Sequence, residues 1–211
     1  MMFMDQNLEE FIGNVNSREL PGGGSVSCLT AILGSGLSNM SFYLTEDKKI
    51  YKNLDDETKA KIKANIEKLD SIIEELKEKM VEDTTSFDSV LKAFKLPKDT
   101  EEEKAIRKKE IDEGYLIATQ SPLSAARIML EALECVADIA QYIDKYAVSD
   151  NYAGALILNA SIKSVLLNAK INMRSMDSNK ELEDEIKSIE KRSEELLEKV
   201  AKISMDKIGE I

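Results

Sequence analysis

Residues 55–94 read DDETKAKIKANIEKLDSIIEELKEKMVEDTTSFDSVLKAF, and the hydrophobic pattern of this stretch decides the fold class. Apolar side chains recur every three or four positions, with Lys and Glu between them, at Ile62, Ile66, Leu69, Ile73, Leu76, Met80, Phe87, Val90, Leu91 and Phe94. This spacing places them on one face of an α-helix. The pattern therefore predicts a long amphipathic helix over 55–95, which Pro97 brings to an end.

The segment from Leu20 to Thr45 is built differently, because it contains no charged residue although 33% of the chain is charged. Its length could cross a membrane, but it opens with Pro-Gly-Gly-Gly and is interrupted by many Ser residues. We therefore expect no membrane association and predict a helix over 25–44 that is buried on most sides. Such a helix could be central in a bundle or could lie in a subunit interface.

Helix start signals predict the remaining helices. The signals are Thr100 with Glu103 as a capping box, Ser121-Pro122 as N-cap and first residue, and Ser149 or Asp150 as a cap. The last helix is expected to start at about Asn179. These helices are expected to reach about Ala118, Tyr146, Met173 and Ile208. No segment alternates with period two, so the sequence predicts an all-α, up-and-down bundle of about six helices, in a single domain over 1–211.

Composition excludes several classes of function. The chain has 211 residues, no His, two Cys and a formal charge of −11. Without His there is no imidazole general base and no Ser-His-Asp triad, and we predict no metal site. Cys28 and Cys135 fit neither a zinc ribbon nor a disulfide framework, which is typical of reduced core thiols in a cytoplasmic protein. The net acidity argues against a nucleic-acid partner.

Pro21, Gly22, Gly23, Gly24 and Ser25 form a candidate ligand-binding turn. Consecutive glycines that lead into a helix let backbone N–H groups converge on a ligand, and the helix N-terminus adds partial positive charge. The run is neither a Walker A loop nor a dinucleotide fingerprint. From the residues alone, a flexible turn in which Ser25 caps the helix is an equally good explanation.

Asp83 continues the apolar stripe between Met80 and Phe87, so we expect it to face the core. A buried carboxylate must be paired, hydrogen-bonded or protonated. These properties suit a general acid or base. They equally suit a structural Asp bonded to a neighbouring helix end, and spacing does not separate the two interpretations.

Two polar pairs complete the candidate site. Asn168 and Asn172 share one face of a helix with few charges, and buried amides need partners, either on another helix or on the polar edge of a heterocyclic ligand. Lys98 and Arg107 lie on either side of the predicted helix start at Thr100. They belong either to a solvated surface or to a local site for an anion, in a chain whose net charge otherwise repels anions.

The motifs also occur together in a known family. In chain order they are Pro21-Gly-Gly-Gly-Ser25, Asp83 with Phe87, Leu96-Pro97-Lys98 followed by Arg107, Ser121-Pro122-Leu123, Ser149-Asp150 and Asn168-Ala-Lys-Ile-Asn172. Over almost its whole length the chain resembles the cyclodeaminase/cyclohydrolase family. This family includes the cyclodeaminase half of formiminotransferase-cyclodeaminase and stand-alone methenyltetrahydrofolate cyclohydrolases. The chain departs from the family pattern at Asn151-Tyr152, which leaves the placement of Asp150 open.

The resemblance implies an all-helical subunit that forms homodimers or larger homo-oligomers, with a tetrahydrofolate derivative as substrate and no tightly bound cofactor. It implies Asp83 as the principal acid–base group and Asp150 as the second. The residues expected to bind the pterin are Pro21, Gly22, Gly23, Gly24, Ser25, Asn168 and Asn172, and those expected at the glutamate tail are Lys98 and Arg107. Phe87 and Ser149 are also expected to bind the substrate.

Two reactions follow from the resemblance. A cyclohydrolase opens 5,10-methenyltetrahydrofolate with water to give 10-formyltetrahydrofolate. A cyclodeaminase closes 5-formiminotetrahydrofolate to the methenyl form and releases ammonia. We expect the cyclohydrolase, because a chain of 211 residues has no room for a transferase domain that would supply the formimino compound. A non-catalytic folate-binding or interaction bundle is the further alternative.

Overall fold

The computed structural model describes residues 6–18 and 20–209, and in these residues every regular element is helical. Eight α-helices follow in chain order: α1 Leu8–Val15, α2 Gly23–Tyr43, α3 Lys49–Lys52, α4 Asp56–Glu82, α5 Asp88–Phe94, α6 Glu101–Ile139, α7 Val148–Met173 and α8 Lys180–Gly209. The all-α prediction is confirmed, with eight helices in the described ranges rather than about six. The predicted domain over 1–211 also takes in residues 1–5, 19 and 210–211, which lie outside the described ones.

Helix α2 packs against α4 and α7 and runs antiparallel to α7. A Cβ on Gly154 would lie 2.6 Å from the carbonyl oxygen of Gly34 and 2.3 Å from Oγ of Ser38, so only glycine permits this approach. Hydroxyl pairs join the same two helices at Ser27–Ser164, 2.9 Å, and Thr30–Ser161, 2.8 Å. The segment predicted as a helix over 25–44 lies in α2, Gly23–Tyr43, in which small side chains such as Ser35 and Ser38 are buried and Leu33 is 59% exposed.

Helix α4 also runs antiparallel to α2 and ends earlier than predicted. The expected helix over 55–95 is two helices, α4 and α5, separated by residues 83–87. Hydroxyl side chains in this turn bond backbone carbonyls, Thr84 to Val81 at 2.7 Å and Ser86 to Asp83 at 2.9 Å. Such bonds compete with helix continuation. The break turns the apolar residues of α5 partly outward, so Leu91 is 49% exposed.

Helix α6 is continuous through Pro122, where the sequence predicted a helix start. A proline inside a helix cannot donate to the carbonyl four residues earlier, here that of Ala118. The side chain of Asn172 on α7 donates to this carbonyl at 2.7 Å. The predicted break at Ser121-Pro122 is therefore wrong, because a side chain from another helix replaces the missing backbone donor.

Helix α7 begins at Val148 after Ala147, with no side-chain cap. Ser149 and Asp150 lie inside its first turn, so the prediction that one of them caps the helix is wrong. Ala147 and Val148 are buried against Ile139 and Ile143, and the helix starts early enough to place them there. In the described part of the chain, no helix combines the length and apolar character needed to cross a membrane.

Candidate functional site

Asp83 connects the end of α4 to the start of α2. Its Oδ2 accepts a hydrogen bond from the backbone N–H of Ser25 at 2.8 Å and another from the Ser25 hydroxyl at 2.9 Å. The same hydroxyl lies 3.0 Å from the carbonyl oxygen of Met80. Ser25 is fully buried and Asp83 is half-buried. The carboxylate thus meets the electropositive first turn of α2.

The glycines of the turn have different surroundings. A Cβ on Gly24 would lie 2.0 Å from Oδ1 of Asp83, whereas a Cβ on Gly22 would meet no atom within 4 Å. A Cβ on Gly23 would lie 3.8 Å from Oδ1 of Asn168. The backbone of Gly23 and Gly24 therefore separates the Asp83 carboxylate from the Asn168 amide, and the two polar groups border the same short stretch of α2.

Cys28 lies one helical turn beyond Ser25 and is buried. Burial, and secondly the negative charge of Asp83, raise the pKa of its thiol to about 12. The thiol is therefore neutral at physiological pH and is no nucleophile. Cys135 is also buried and free, and burial raises its pKa to about 11.

An aromatic row leads away from the Asp83 turn. The ring of Phe87 packs edge-on against Tyr115 with centroids 5.7 Å apart, and Phe94 packs on the other side of Tyr115 at 6.4 Å. The guanidinium of Arg107 lies 5.5 Å from the Phe94 ring centre and donates to the Phe94 carbonyl at 3.3 Å. Lys98 is exposed in the loop before α6. Arg107 is thus placed at the end of the row farthest from Asp83.

Three predicted site residues, Asn172, Ser149 and Asp150, do not place a free polar group beside Asp83. Asn172 is half-buried, and its side-chain N–H is engaged by the Ala118 carbonyl. Ser149 and Asp150 lie where α7 begins, near the C-terminal end of α2. Gly154 meets α2 at Ser38, 14 residues or about 21 Å beyond Gly24. Within one chain, Asp83 and Asp150 therefore do not form a carboxylate pair.

Two clefts adjoin this region. One of about 560 Å³ lies between the Asp83 turn and α6, with Thr85, Ser86 and Gln120 in its wall. Another of about 560 Å³ lies between α7 and α8, beside Arg174 and Lys187. The first has the size of a small-molecule site, and residues on either side of Asp83 in the chain, Glu82 and Thr85, line it. Within residues 6–18 and 20–209, no cluster of three acidic or Cys side chains is arranged to hold a metal ion.

The relationship of the chain to known proteins is decided by one match. A sequence model described as Formiminotransferase-cyclodeaminase matches residues 7–203. The chain belongs to the formiminotransferase-cyclodeaminase family.

Relatives of this family member differ in length. A methenyltetrahydrofolate cyclohydrolase from Methylorubrum extorquens is 30% identical over 187 residues, which are 88% of each chain. The formimidoyltransferase-cyclodeaminase of Rattus norvegicus is 29% identical over 177 residues, which are 82% of this chain but 31% of the relative. A solved structure of formiminotetrahydrofolate cyclodeaminase from Thermotoga maritima superposes with a TM-score of 0.82 at 22% identity, over 96% and 98% of the two chains. The cyclodeaminase fold is therefore shared.

Sequence reasoning missed three features of the family member's candidate site. Tyr115, which joins Phe87 to Phe94, carried no distinguishing signal. The contact between Gly24 and Asp83 joins positions far apart in sequence, and no local pattern reports it. The sequence did contain a signal that the Ala118 carbonyl would lack its backbone donor, because a proline four residues later has no N–H to donate to it.

Proposed function

We propose that this chain is a folate one-carbon enzyme that hydrolyses 5,10-methenyltetrahydrofolate to 10-formyltetrahydrofolate. The observation that carries the proposal is the Asp83 carboxylate, which Ser25 holds at the start of α2 beside the backbone of Gly24. A fixed carboxylate at an accessible turn can exchange protons without His. The cyclohydrolase of Methylorubrum extorquens supports the assignment, because it is similar over 88% of both chains.

The proposed reaction needs two proton movements. The carboxylate charge stabilises the cationic carbon between N5 and N10 in the bound substrate, and as water attacks this carbon Asp83 takes one proton from the water. Asp83 then returns this proton to N5 as the carbon–N5 bond breaks. The remaining hydroxyl proton is lost to solvent, which leaves a formyl group on N10. One substrate and one water thus give the product and one proton.

The alternative reaction is the cyclodeaminase closure, in which 5-formiminotetrahydrofolate and a proton give the methenyl compound and ammonia. It passes through a tetrahedral carbon at the same position, with a carboxylate again moving the protons. The family match and the longer relatives named as cyclodeaminases support it. The same residues would serve either substrate.

We assign the aromatic row to the body of the substrate. Phe87 lies nearest the carboxylate, and Lys98 with Arg107 lies at the other end, where the glutamate tail would need positive charge. The Gly22–Gly24 backbone and Asn168 would contact the pterin. The two free, buried thiols support a reducing, cytoplasmic location.

The outward face of α2 supports a homodimer. It is uncharged and apolar, with Leu33 59%, Met40 42% and Leu44 50% exposed. A monomer rarely exposes a continuous apolar face of this kind. Each copy has a net charge of −11, so charged surfaces of two copies repel each other. The uncharged face of α2 lets two copies meet without bringing like charges together. The expected partner is therefore a second copy of this chain.

A twofold axis at Leu33, the midpoint of α2, would pair the two α2 helices antiparallel. The start of α2 in one subunit would then approach the end of α2 in the other, where α7 begins. This arrangement would bring Asp150 of the partner subunit towards Asp83, which explains why the two carboxylates lie far apart within one chain.

Absorbance in the near ultraviolet tests the reaction directly, because the methenyl compound absorbs there and the formyl and formimino compounds do not share that band. Loss of the band from methenyltetrahydrofolate supports the cyclohydrolase. Its appearance from formiminotetrahydrofolate supports the cyclodeaminase. No change with either substrate overturns both and favours a non-catalytic bundle.

A further inference from the structure

The two oxygens of Asp83 have different surroundings. Oδ2 accepts both hydrogen bonds from Ser25, at 2.8 and 2.9 Å. Oδ1 lies over the backbone of Gly24, where a Cβ would come within 2.0 Å of it. Among the described residues, both hydrogen bonds to this carboxylate end on Oδ2, and Oδ1 accepts none. The carboxylate is thus oriented, with one oxygen anchored and the lone pairs of the other not engaged by the protein.

The Ser25 hydroxyl has a choice of two acceptors. Its Oγ lies 2.9 Å from Oδ2 of Asp83 and 3.0 Å from the carbonyl oxygen of Met80. A hydroxyl carries one proton, so it can serve either acceptor by rotation. Ser25 is 0% exposed, and the hydroxyl remains hydrogen-bonded in both orientations without help from solvent.

We propose that Ser25 is a positioning residue for Asp83 and not a substrate contact, and that it makes Oδ1 the proton-exchanging oxygen. The inference rests on the proposed function, in which Asp83 gains and loses a proton in each turnover. While Asp83 is charged, the Ser25 hydroxyl bonds Oδ2. Once Oδ1 carries a proton, Oδ2 becomes a weaker acceptor, and the hydroxyl can turn to Met80 while the Ser25 N–H keeps its bond.

This role differs measurably from the substrate-binding role that the sequence predicted for Ser25. A positioning residue acts on the reacting carboxylate, so its removal lowers kcat. A substrate contact that acts equally in ground and transition states alters KM instead.

The test is Ser25→Ala, with Ser27→Ala as the matched control. Ser27 is a buried hydroxyl on the same helix, bonded to Gly23 and Ser164 and not to Asp83. For Ser25→Ala we expect kcat to fall about 10- to 100-fold, within the range of general acid–base effects. We expect KM to change less than about threefold. Ser27→Ala should leave kcat and KM unchanged.

Further variants keep the result interpretable. Ser25→Thr retains the hydroxyl and should restore the wild-type kcat. If Ser25→Ala does not fold, as judged by circular dichroism, Ser25→Cys keeps a similar volume with a weaker donor and should show the same change in kcat. Wild-type kcat in the folded Ala or Cys variant, or a rise in KM alone, overturns the positioning role. Absence of turnover in the wild type refutes the proposed function instead.

Discussion

Gly24 and Asp83 lie so close that a methyl group on Gly24 would overlap the carboxylate, with Cβ 2.0 Å from Oδ1 and 2.5 Å from Cγ. The obstructing atoms belong to the end of a side chain, which can rotate away. A substitution at Gly24 would therefore displace the carboxylate more readily than it would unfold the bundle.

We predict that Gly24→Ala remains folded and loses turnover by about 100-fold or more, the magnitude of losing a positioned acid–base group. Steady-state assay of methenyl absorbance and circular dichroism measure the two properties. Gly13→Ala is the control, because a Cβ there meets no atom within 4 Å. Activity near the wild-type level in Gly24→Ala would show that the position of the carboxylate does not matter.

Asp83→Asn should reduce kcat by about 10²- to 10⁴-fold, because an amide cannot accept and return the proton. Its oxygen can still accept from Ser25, so the thermal midpoint should change little. Glu78→Gln, at an exposed position of α4, the helix that precedes Asp83, controls for the loss of one negative charge. Equal rates for the two variants would exclude Asp83 as the acid–base group.

Asn172→Ala should lower the free energy of unfolding by about 1–3 kcal/mol, because it leaves the fully buried Ala118 without a donor to its carbonyl. Adding Pro122→Ala should recover part of this loss, since residue 122 then supplies the backbone N–H. Chemical denaturation of the single and double variants measures the coupling. A raised KM with unchanged stability would instead assign Asn172 to the substrate.

Cys28 and Cys135 should resist alkylation in the folded protein. With pKa values of about 12 and 11, the thiolate fraction of Cys28 at pH 8 is on the order of 1 in 10,000. Iodoacetamide labelling followed by mass spectrometry should find both thiols unmodified until denaturant is added. Rapid labelling of the native protein would contradict the burial of these residues.

The same thiols link stability to pH. Their folded pKa values lie above the ordinary value of 9.0, so the unfolded chain loses these protons first. The stability they contribute is complete below about pH 9 and falls as the pH rises towards 11 and 12. Cys28→Ala should make the unfolding free energy less sensitive to pH in this window, with Ser27→Ala as the comparison.

Leu33→Asp should convert a dimer to a monomer, because it places a charge at the midpoint of the apolar face of α2. Light scattering after size exclusion measures the mass. Leu91→Asp is the control, since Leu91 is similarly exposed, at 49%, on α5. If the wild type is a monomer, the proposed α2 interface is wrong. Loss of turnover together with dimerisation would support a site completed by the partner subunit's Asp150.

Sequence patterns predicted the helices well where their determinants are local. The capping box of Thr100 with Glu103 is formed, with the Glu103 N–H donating to the Thr100 hydroxyl at 3.2 Å. The apolar spacing in 56–82 predicted the buried face of α4, apart from Ile72, which is buried in place of Ile73. Asp83, expected to face the core, is half-buried in the turn that follows α4 and accepts hydrogen bonds from Ser25.

The wrong predictions have a common physical cause. In each case a hydrogen bond or packing contact with a residue distant in sequence decides the structure, and local sequence rules do not include such contacts. The break after Glu82 contains neither Gly nor Pro, and the contact with Ser25 that accompanies it spans 58 positions. Continuity of α6 at Pro122 depends on Asn172, 54 positions from the carbonyl it satisfies. The separation of Asp83 from Asp150 depends on which ends of α2 and α7 meet, and a single chain read in order does not contain that information.

The bond between Ser25 and Asp83 also fastens the first turn of α2 to the last turn of α4. Opening this corner of the bundle and removing the carboxylate from its working position are therefore the same molecular event. A ligand that binds the oriented carboxylate should protect the amides of both helix ends from hydrogen exchange, although the two ends are distant in sequence. Ligand binding at the carboxylate and the local stability of this corner are therefore thermodynamically coupled.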